Sequence, residues 1–574
     1  MRNPIRAAPA RKRCGILRGK PLPNGRGSVS RPASHTPSQR SSCRGAWQRC
    51  PIRLSGVLLR DRRRRAAKHG VTRRSLEIQR PVGIVSFFHH LAKLWWLSFF
   101  AAVGLCVGSF ANVLIYRLPL GRSLTQPPWS ACPRCNSRIR WYDNVPVFSF
   151  LKLGGRCRHC RRPISIRYPI VEMAMAMIFV LLLDALMVCG FREGLNGSDF
   201  LSDRIMADWP ILLAHLILFT CLFAMSAIDI EHYWVDVRFT TLVTLCGFAL
   251  HAIWTPTYSV KWIRPGDVLG AASLAALVGL GVVWLVVRSI PWDEPLEYHE
   301  GDDAPEDTTM PDPALPSRVV VWILVLILGL MVVVAATDLT SEPAWGNTVR
   351  GVVPLCVFFV MIVASSGVSR ESDRQIVQAI DEESVSARRM ALEELLVLLP
   401  AALFGGLVIW LLLRDPEASA RLSRLMHQEI NIRSVGMWRH WQPLHGLATA
   451  AGGFVVAGAI GWTVRIVFTL VFGKEAMGVG DIHLMAATGC VAGWPVVLIA
   501  FLLACFIAIF GWILVLPRKR TRAIPLGPWL AIAFLAVVVF YDSLIAWGPI
   551  AGVKGAVGLL ISRNSQILPI EIGP

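Results

Sequence analysis

The apolar positions of this 574-residue chain come in long unbroken runs. They occupy about 94–116, 169–191, 210–230, 237–254, 266–288, 319–337, 351–366, 395–413 and 447–472. Two shorter runs follow at about 482–494 and 496–516, and a last one lies at about 527–546. A run of roughly 20 apolar residues is long enough to cross a bilayer. In lipid the backbone must satisfy its own hydrogen bonds, and no run alternates like a barrel strand, so helices are predicted. The expected fold class is an all-α polytopic membrane protein of about 12 transmembrane spans.

Composition agrees. The chain is 54% hydrophobic and only 17% charged, with a mean hydropathy of +0.51, whereas charged residues make up roughly a quarter of a soluble domain. A secreted or cytosolic enzyme and a single-pass receptor are excluded. The net charge of +21 first suggests nucleic acid, but residues 1–80 hold 22 Lys and Arg against Asp61 and Glu77. The rest is nearly neutral, so no nucleic-acid partner is expected. Residues 1–80 are rich in Arg, Pro and Ser and have no apolar periodicity and no signal-peptide core. They read as a disordered extension or as a start placed too far upstream, with Val71, Val82 or Val85 as alternative starts.

Loop 117–168 carries 11 Lys and Arg against one acid, Asp143. Positive loops stay in the cytoplasm. The next loop, 192–209, is acid-rich and is expected outside. The third span then returns inward and ends near Asp229. Six predicted spans, an even number, separate Asp229 from Asp481, so both carboxylates emerge on the cytoplasmic side. The basic run Pro517–Arg522 fits another cytoplasmic turn. The first span then begins outside, where a tail of +20 contravenes the charge rule.

Of 14 cysteines, four stand apart: Cys132 and Cys135, then Cys157 and Cys160. Two C-x2-C pairs 21 residues apart can close a tetrahedron of thiolates around Zn2+, giving a small zinc-ribbon-like loop. The reducing cytosol disfavours disulfides there, and redox-active or unligated thiols are the alternative reading. Cys106, Cys221 and Cys505 lie in apolar spans and read as packing residues.

Gly478-Val479-Gly480-Asp481 stands directly before an apolar run, and Asp229 ends the third span. Ionisable residues at a membrane boundary are costly and are functional candidates. Two carboxylates brought together can share a proton, one acting as base on water and the other as acid toward a carbonyl. Alone, the G-x-G-D tetrad is more often a helix cap. Asp184, His215, His251 and Asp542 read as polar groups that are satisfied between helices or line a cavity. These features divide the chain into the extension 1–80, two spans with the cysteine loop (94–191) and a first aspartate region (210–254). An inserted membrane region with an acidic loop (255–446), a second aspartate region (447–546) and a tail (547–574) follow.

An ordered series of motifs then becomes specific. It runs from Gly108-Ser109-Phe110-Ala111-Asn112 and Tyr116-Arg117-Leu118-Pro119 through Arg140–Pro146 and both cysteine pairs to Arg167-Tyr168-Pro169-Ile170-Val171-Glu172. Gly478–Asp481 and Ile524-Pro525-Leu526-Gly527-Pro528 follow. The series resembles the bacterial type IV prepilin peptidases over about 100–240 and 474–545. The resemblance implies a multi-pass enzyme of the bacterial inner membrane that cuts the leaders of prepilin and pseudopilin precursors after a Gly, at the cytoplasmic face. It also implies methylation of the new N-terminus from S-adenosylmethionine, although no glycine fingerprint marks where that donor binds. The family's catalytic aspartates map onto Asp229 and Asp481, supported by Gly478, Gly480 and His483.

There are departures. The family's Pro-Asp after the first aspartate is Asp236-Val237 here, its usual Lys is His483, and the two aspartates are 252 residues apart. A presenilin-like intramembrane aspartic protease, an assembly protein that has lost catalysis and a transporter are the alternatives. Apart from lipid and the pilin precursors, no partner or oligomeric state can be read from the sequence.

Overall fold

The computed structural model describes residues 82–126, 129–188, 195, 198, 200–232, 235–254, 266–289, 387–430, 441–515 and 526–546. The apolar runs within them are helical. The first half contributes α1 (Val82–Arg117), the short α2 (Phe148–Lys152), α3 (Arg167–Leu183), α4 (Leu201–His232), α5 (Val237–Ile253) and α6 (Asp267–Ser289). The second half contributes α7 (Ala387–Arg414), the short amphipathic α8 (Pro416–Met426), α9 (Pro443–Phe472), α10 (Val479–Ala492), α11 (Trp494–Val515) and α12 (Gly527–Ala546). Among the described residues there is no strand, only isolated bridges.

Six of these helices are long and apolar enough to cross a membrane, and they correspond to α1, α3, α4, α6, α7 and α9. Four more, in α5, α10, α11 and α12, are apolar but shorter. At 1.5 Å per residue the 14 residues of α10 reach about 21 Å, less than the roughly 30 Å of a hydrocarbon core. The count of about 12 therefore becomes six long and four shorter apolar helices here. The expected spans at 319–337 and 351–366, the extension 1–80, the acidic loop and the tail 547–574 lie outside the described residues.

Burial sorts the helices. The apolar stretch of α3 is buried on every side, as expected of a helix that is hydrophobic all round. The opposite case is α7, which exposes Leu396, Leu403, Leu407 and Trp410; an apolar helix left bare in this way suits contact with lipid. Small residues set the closest contacts. A Cβ on Gly104 or Gly108 would stand 2.6 Å from the Cα of Ala176 or Glu172, so α1 and α3 meet backbone to backbone. Gly453 of α9 and Gly489 of α10 meet in the same way. In α4, Pro210 removes one helical hydrogen bond and the chain kinks at Asp208, whose buried carboxylate accepts from the Trp254 indole at 2.8 Å.

Helix direction follows from these contacts. The turn between α4 and α5 and the start of α10 lie together, because Gly480 packs on Val235. At the far end of α5, Trp441 donates to the Ala252 carbonyl and Gly446 abuts His251. The bundle thus has two ends, separated by the 30 residues of α9.

Candidate functional site

Asp229 lies one turn from the end of α4 and is buried. Gly527 opens α12 against it: a Cβ built there would sit 2.6 Å from Asp229 Oδ2. Asp481 reaches the same end by another route. The left-handed Gly473 caps α9, with its N–H on the Thr469 carbonyl, and releases the chain into a short loop. Gly478 is the N-cap of α10 and makes no side-chain cap bond. Asp481 is the third helical residue and is buried to the same degree as Asp229. The cap position of the tetrad is thus its first glycine. Gly480 is required by contact, since its Cβ would come within 2.9 Å of the Val235 Cβ. His483 projects from the exposed side of α10.

The loop before Asp481 is held by residues the sequence reading passed over. The Arg465 guanidinium, buried in α9, takes both oxygens of Glu394 in α7 at 2.7–3.0 Å. It also pairs with Glu475 and donates to the Met477 carbonyl. Thr469 Oγ1 accepts the Ala476 N–H at 3.2 Å. Glu394 belongs to the inserted region, so the insertion reaches the loop that presents Asp481. The signal available was a single arginine in an apolar span, which asks for a partner.

Asp236, the displaced acid of the first aspartate region, is the N-cap of α5. It accepts the Arg238 N–H at 2.9 Å and pairs with the Arg238 guanidinium. His215 and His251 each bond a carbonyl one turn back in their own helix. Asp184 is buried where α3 passes into a π turn, and the Asp542 side chain lies outside the described residues.

The cysteine loop forms two matching knuckles. The Asn136 N–H returns to the Cys132 carbonyl at 2.8 Å, and the Arg161 N–H to the Cys157 carbonyl at 3.0 Å. Asn136 and Arg161, each four residues past its first cysteine, have φ of 53° and 58°. All four sulfurs lie within 4.8 Å of one another, with Cys135 and Cys157 at 4.0 Å. A zinc ion with Zn–S bonds of about 2.3 Å needs sulfurs about 3.8 Å apart, so Cys132, Cys135, Cys157 and Cys160 fit this ion. The thiols differ: the Ser137 hydroxyl draws Cys135 down to about 6, while burial pushes Cys132 up to about 11. Arg158 grips Asp143 at 2.6 and 2.7 Å and holds its carboxyl below the usual range. Glu172 of α3 accepts the Val147 N–H at 2.7 Å and so ties the loop to the bundle. Asn112 of α1 donates to the Tyr168 carbonyl.

Two buried aspartates at one end of a bundle of apolar helices, with a four-thiol module on the same chain, define a multi-pass membrane protein with two carboxylates at one end. Two family models match: the bacterial peptidase A24 N-terminal domain over residues 102–185 and the type IV leader peptidase family over 432–513. A prepilin leader peptidase/N-methyltransferase of Klebsiella pneumoniae is 34% identical over 221 residues, covering 34% of this chain and 88% of that one. The protein of that name from Myxococcus xanthus is 37% identical over 152 residues, 26% of this chain and 39% of that one. A type 4 prepilin-like proteins leader peptide-processing enzyme of Escherichia coli is 32% identical over 229 residues, 34% of this chain and 75% of that one. No solved structure matches. The chain belongs to the type IV leader peptidase family. Its two matched segments are separated by residues 186–431, which hold Asp229 and most of the insertion.

Proposed function

We propose that this chain is a membrane aspartic endopeptidase that removes the leader peptides of type IV prepilins and pseudopilins and methylates the new N-terminus. The observation that supports the reading is that Asp229 and Asp481, both buried, stand at the same end of the bundle in a chain of this family. One carboxylate acts as base on a water and the other protonates the scissile carbonyl oxygen. The resulting tetrahedral species expels the amine as the proton is returned, leaving a leader carboxylate and a free N-terminus. Gly480 and Gly527 let Val235 and the Asp229 carboxylate pack directly on the backbone that opens α10 and α12, which fixes the elements that carry this end.

The protein is a multi-pass protein of the bacterial inner membrane, and the basic loop 117–168 supports a cytoplasmic site. Counting the runs outside the described residues, about 12 spans fit this topology. Cys132, Cys135, Cys157 and Cys160 would hold Zn2+ as a structural ion that fixes the loop. S-adenosylmethionine would supply the methyl group.

The test is cleavage of a prepilin-like substrate by purified protein. Asp229→Asn and Asp481→Asn each remove the ionisable group and keep the shape. Each is expected to lower cleavage by at least about 10²-fold with unchanged protein yield. Wild-type rates in either variant would end the paired-aspartate reading.

A further inference from the structure

At the end of the bundle away from the aspartates, three metal-ligating side chains converge from three helices. Asp267 opens α6, His427 closes α8, and His445 stands in the first turn of α9. One ligand atom of each lies within 4.8 Å of the other two. His427 Nε2 and Asp267 Oδ1 are 3.2 Å apart, and the two imidazole rings have centroids 4.3 Å apart. The Ser423 hydroxyl donates to the other Asp267 oxygen at 2.6 Å, which turns Oδ1 toward the histidines.

We infer that Asp267, His427 and His445 form a second metal site that takes a divalent transition-metal ion of the Zn2+ class. Two imidazoles and one carboxylate are a zinc donor set, and hard cations such as Mg2+ prefer all-oxygen shells. Zn–N and Zn–O bonds of about 2.0–2.1 Å at a tetrahedral angle put neighbouring ligand atoms about 3.3–3.4 Å apart, close to the His427–Asp267 separation. An Asp–His hydrogen bond alone would account for two of the three residues. The buried His445 brings a third ligand atom to the same point from another helix, within 4.8 Å of the other two. His427 and Asp267 keep 40% and 24% of their side-chain surface, so a fourth position is open to water.

The site lies about 45 Å of helix, the length of α9, from the loop before Asp481, so it takes no part in the cleavage chemistry. It acts as a clip. Asp267 and His427 lie between the two segments that match the family models, and His445 lies within the second of them, on the helix that leads toward Asp481. An ion there fastens the insertion to the family core.

The experiment equilibrates the purified full-length protein with buffered Zn2+ and counts bound zinc before and after complete modification of its thiols by a mercurial. A four-thiolate site releases its ion on modification; a His2Asp site does not. One thiol-resistant zinc per chain is expected in the wild type. It should bind at least about tenfold more weakly in His427→Asn and in Asp267→Asn, the scale on which even outer-shell changes at a metal site act. No thiol-resistant zinc in the wild type overturns the inference, whatever the folding of the variants. Undiminished thiol-resistant zinc in both variants overturns it as well. The readout does not use peptidase activity, so it stands or falls apart from the proposed function.

Discussion

The four thiols lie within residues 132–160 of a single loop, whereas the two aspartates lie 252 residues apart in sequence and share one end of the bundle only through the packing of separate helices. The thiol module is made by local geometry. Each knuckle closes through its own backbone hydrogen bonds, and one ion pair, Arg158 with Asp143, braces the segment between them. The aspartate end is made by packing: Gly480 on Val235, Gly527 on Asp229, and Arg465 across to α7. Damage to the first should stay local. Damage to the second can start far from either carboxylate.

The largest expected effect sharpens this contrast. Arg465→Met removes a buried cation and leaves Glu394 and Glu475 facing each other without it. Breaking a buried pair in this way costs about 3–5 kcal/mol. The loop before Asp481 should loosen, cleavage should fall below detection, and the zinc of the cysteine loop should remain at one per chain. Elemental analysis beside a cleavage assay checks both halves. Loss of zinc together with cleavage would mean that the two regions are not independent.

A smaller change acts on the aspartate end alone. Gly527→Ala places a methyl group 2.6 Å from Asp229 Oδ2, closer than real Cβ contacts come. Either the carboxylate turns away or α12 shifts. Misplacement of a reacting group by about 1 Å can cost about 10²-fold in rate. The fall should appear in kcat, with thermal stability little changed. Normal kcat in this variant would show that Asp229 has room to move without consequence.

Much of this contrast was already legible in the sequence, and unevenly so. The predicted runs at 237–254, 266–288 and 527–546 match α5, α6 and α12 to within a residue or two. Apolar runs bounded by charge are a local signal, and lipid leaves the backbone one choice. The thiol set was legible for the same reason, since spacing alone brings each pair together. Asp229 and Asp481 could be placed on one face only by counting spans, and two of the spans counted fall outside the described residues. Arg465, Glu394 and Gly527 carry no spacing that ties them to an aspartate. Their roles come from which helices touch, and no local pattern encodes that. Asp267, His427 and His445 escaped notice for the same reason.

Glu172 joins the thiol loop to the helical bundle. Its carboxylate accepts the N–H of Val147, a β-branched residue at φ 59°, a conformation that disfavours such side chains. Glu172→Gln weakens a charge-assisted bond worth about 1.5–3 kcal/mol. The module should undock more often while its knuckles stay closed. Proteolysis within 117–168 is expected to quicken by about tenfold, with zinc content unchanged. An unchanged proteolysis rate would leave the strained Val147 without the support assigned to it.

The smallest effect lies inside the thiol module, where the two knuckles share a backbone path but carry different residues after the second cysteine. Asn136 and Arg161 occupy equivalent left-handed positions. Asn tolerates that conformation, and Arg pays a steric cost of roughly 1–2 kcal/mol there. Glycine removes this cost, although it makes the unfolded chain freer by about 0.4–1 kcal/mol. Arg161→Gly should therefore tighten zinc binding by a few tenths to about 1 kcal/mol, no more than about fivefold, because folding of the knuckle and metal binding are coupled. Asn136→Gly should give no gain. Competition against a chelator of known affinity resolves such differences. An equal response from both variants would show that the second knuckle is not strained by its arginine, and that the matching backbones of the two halves extend to their energetics.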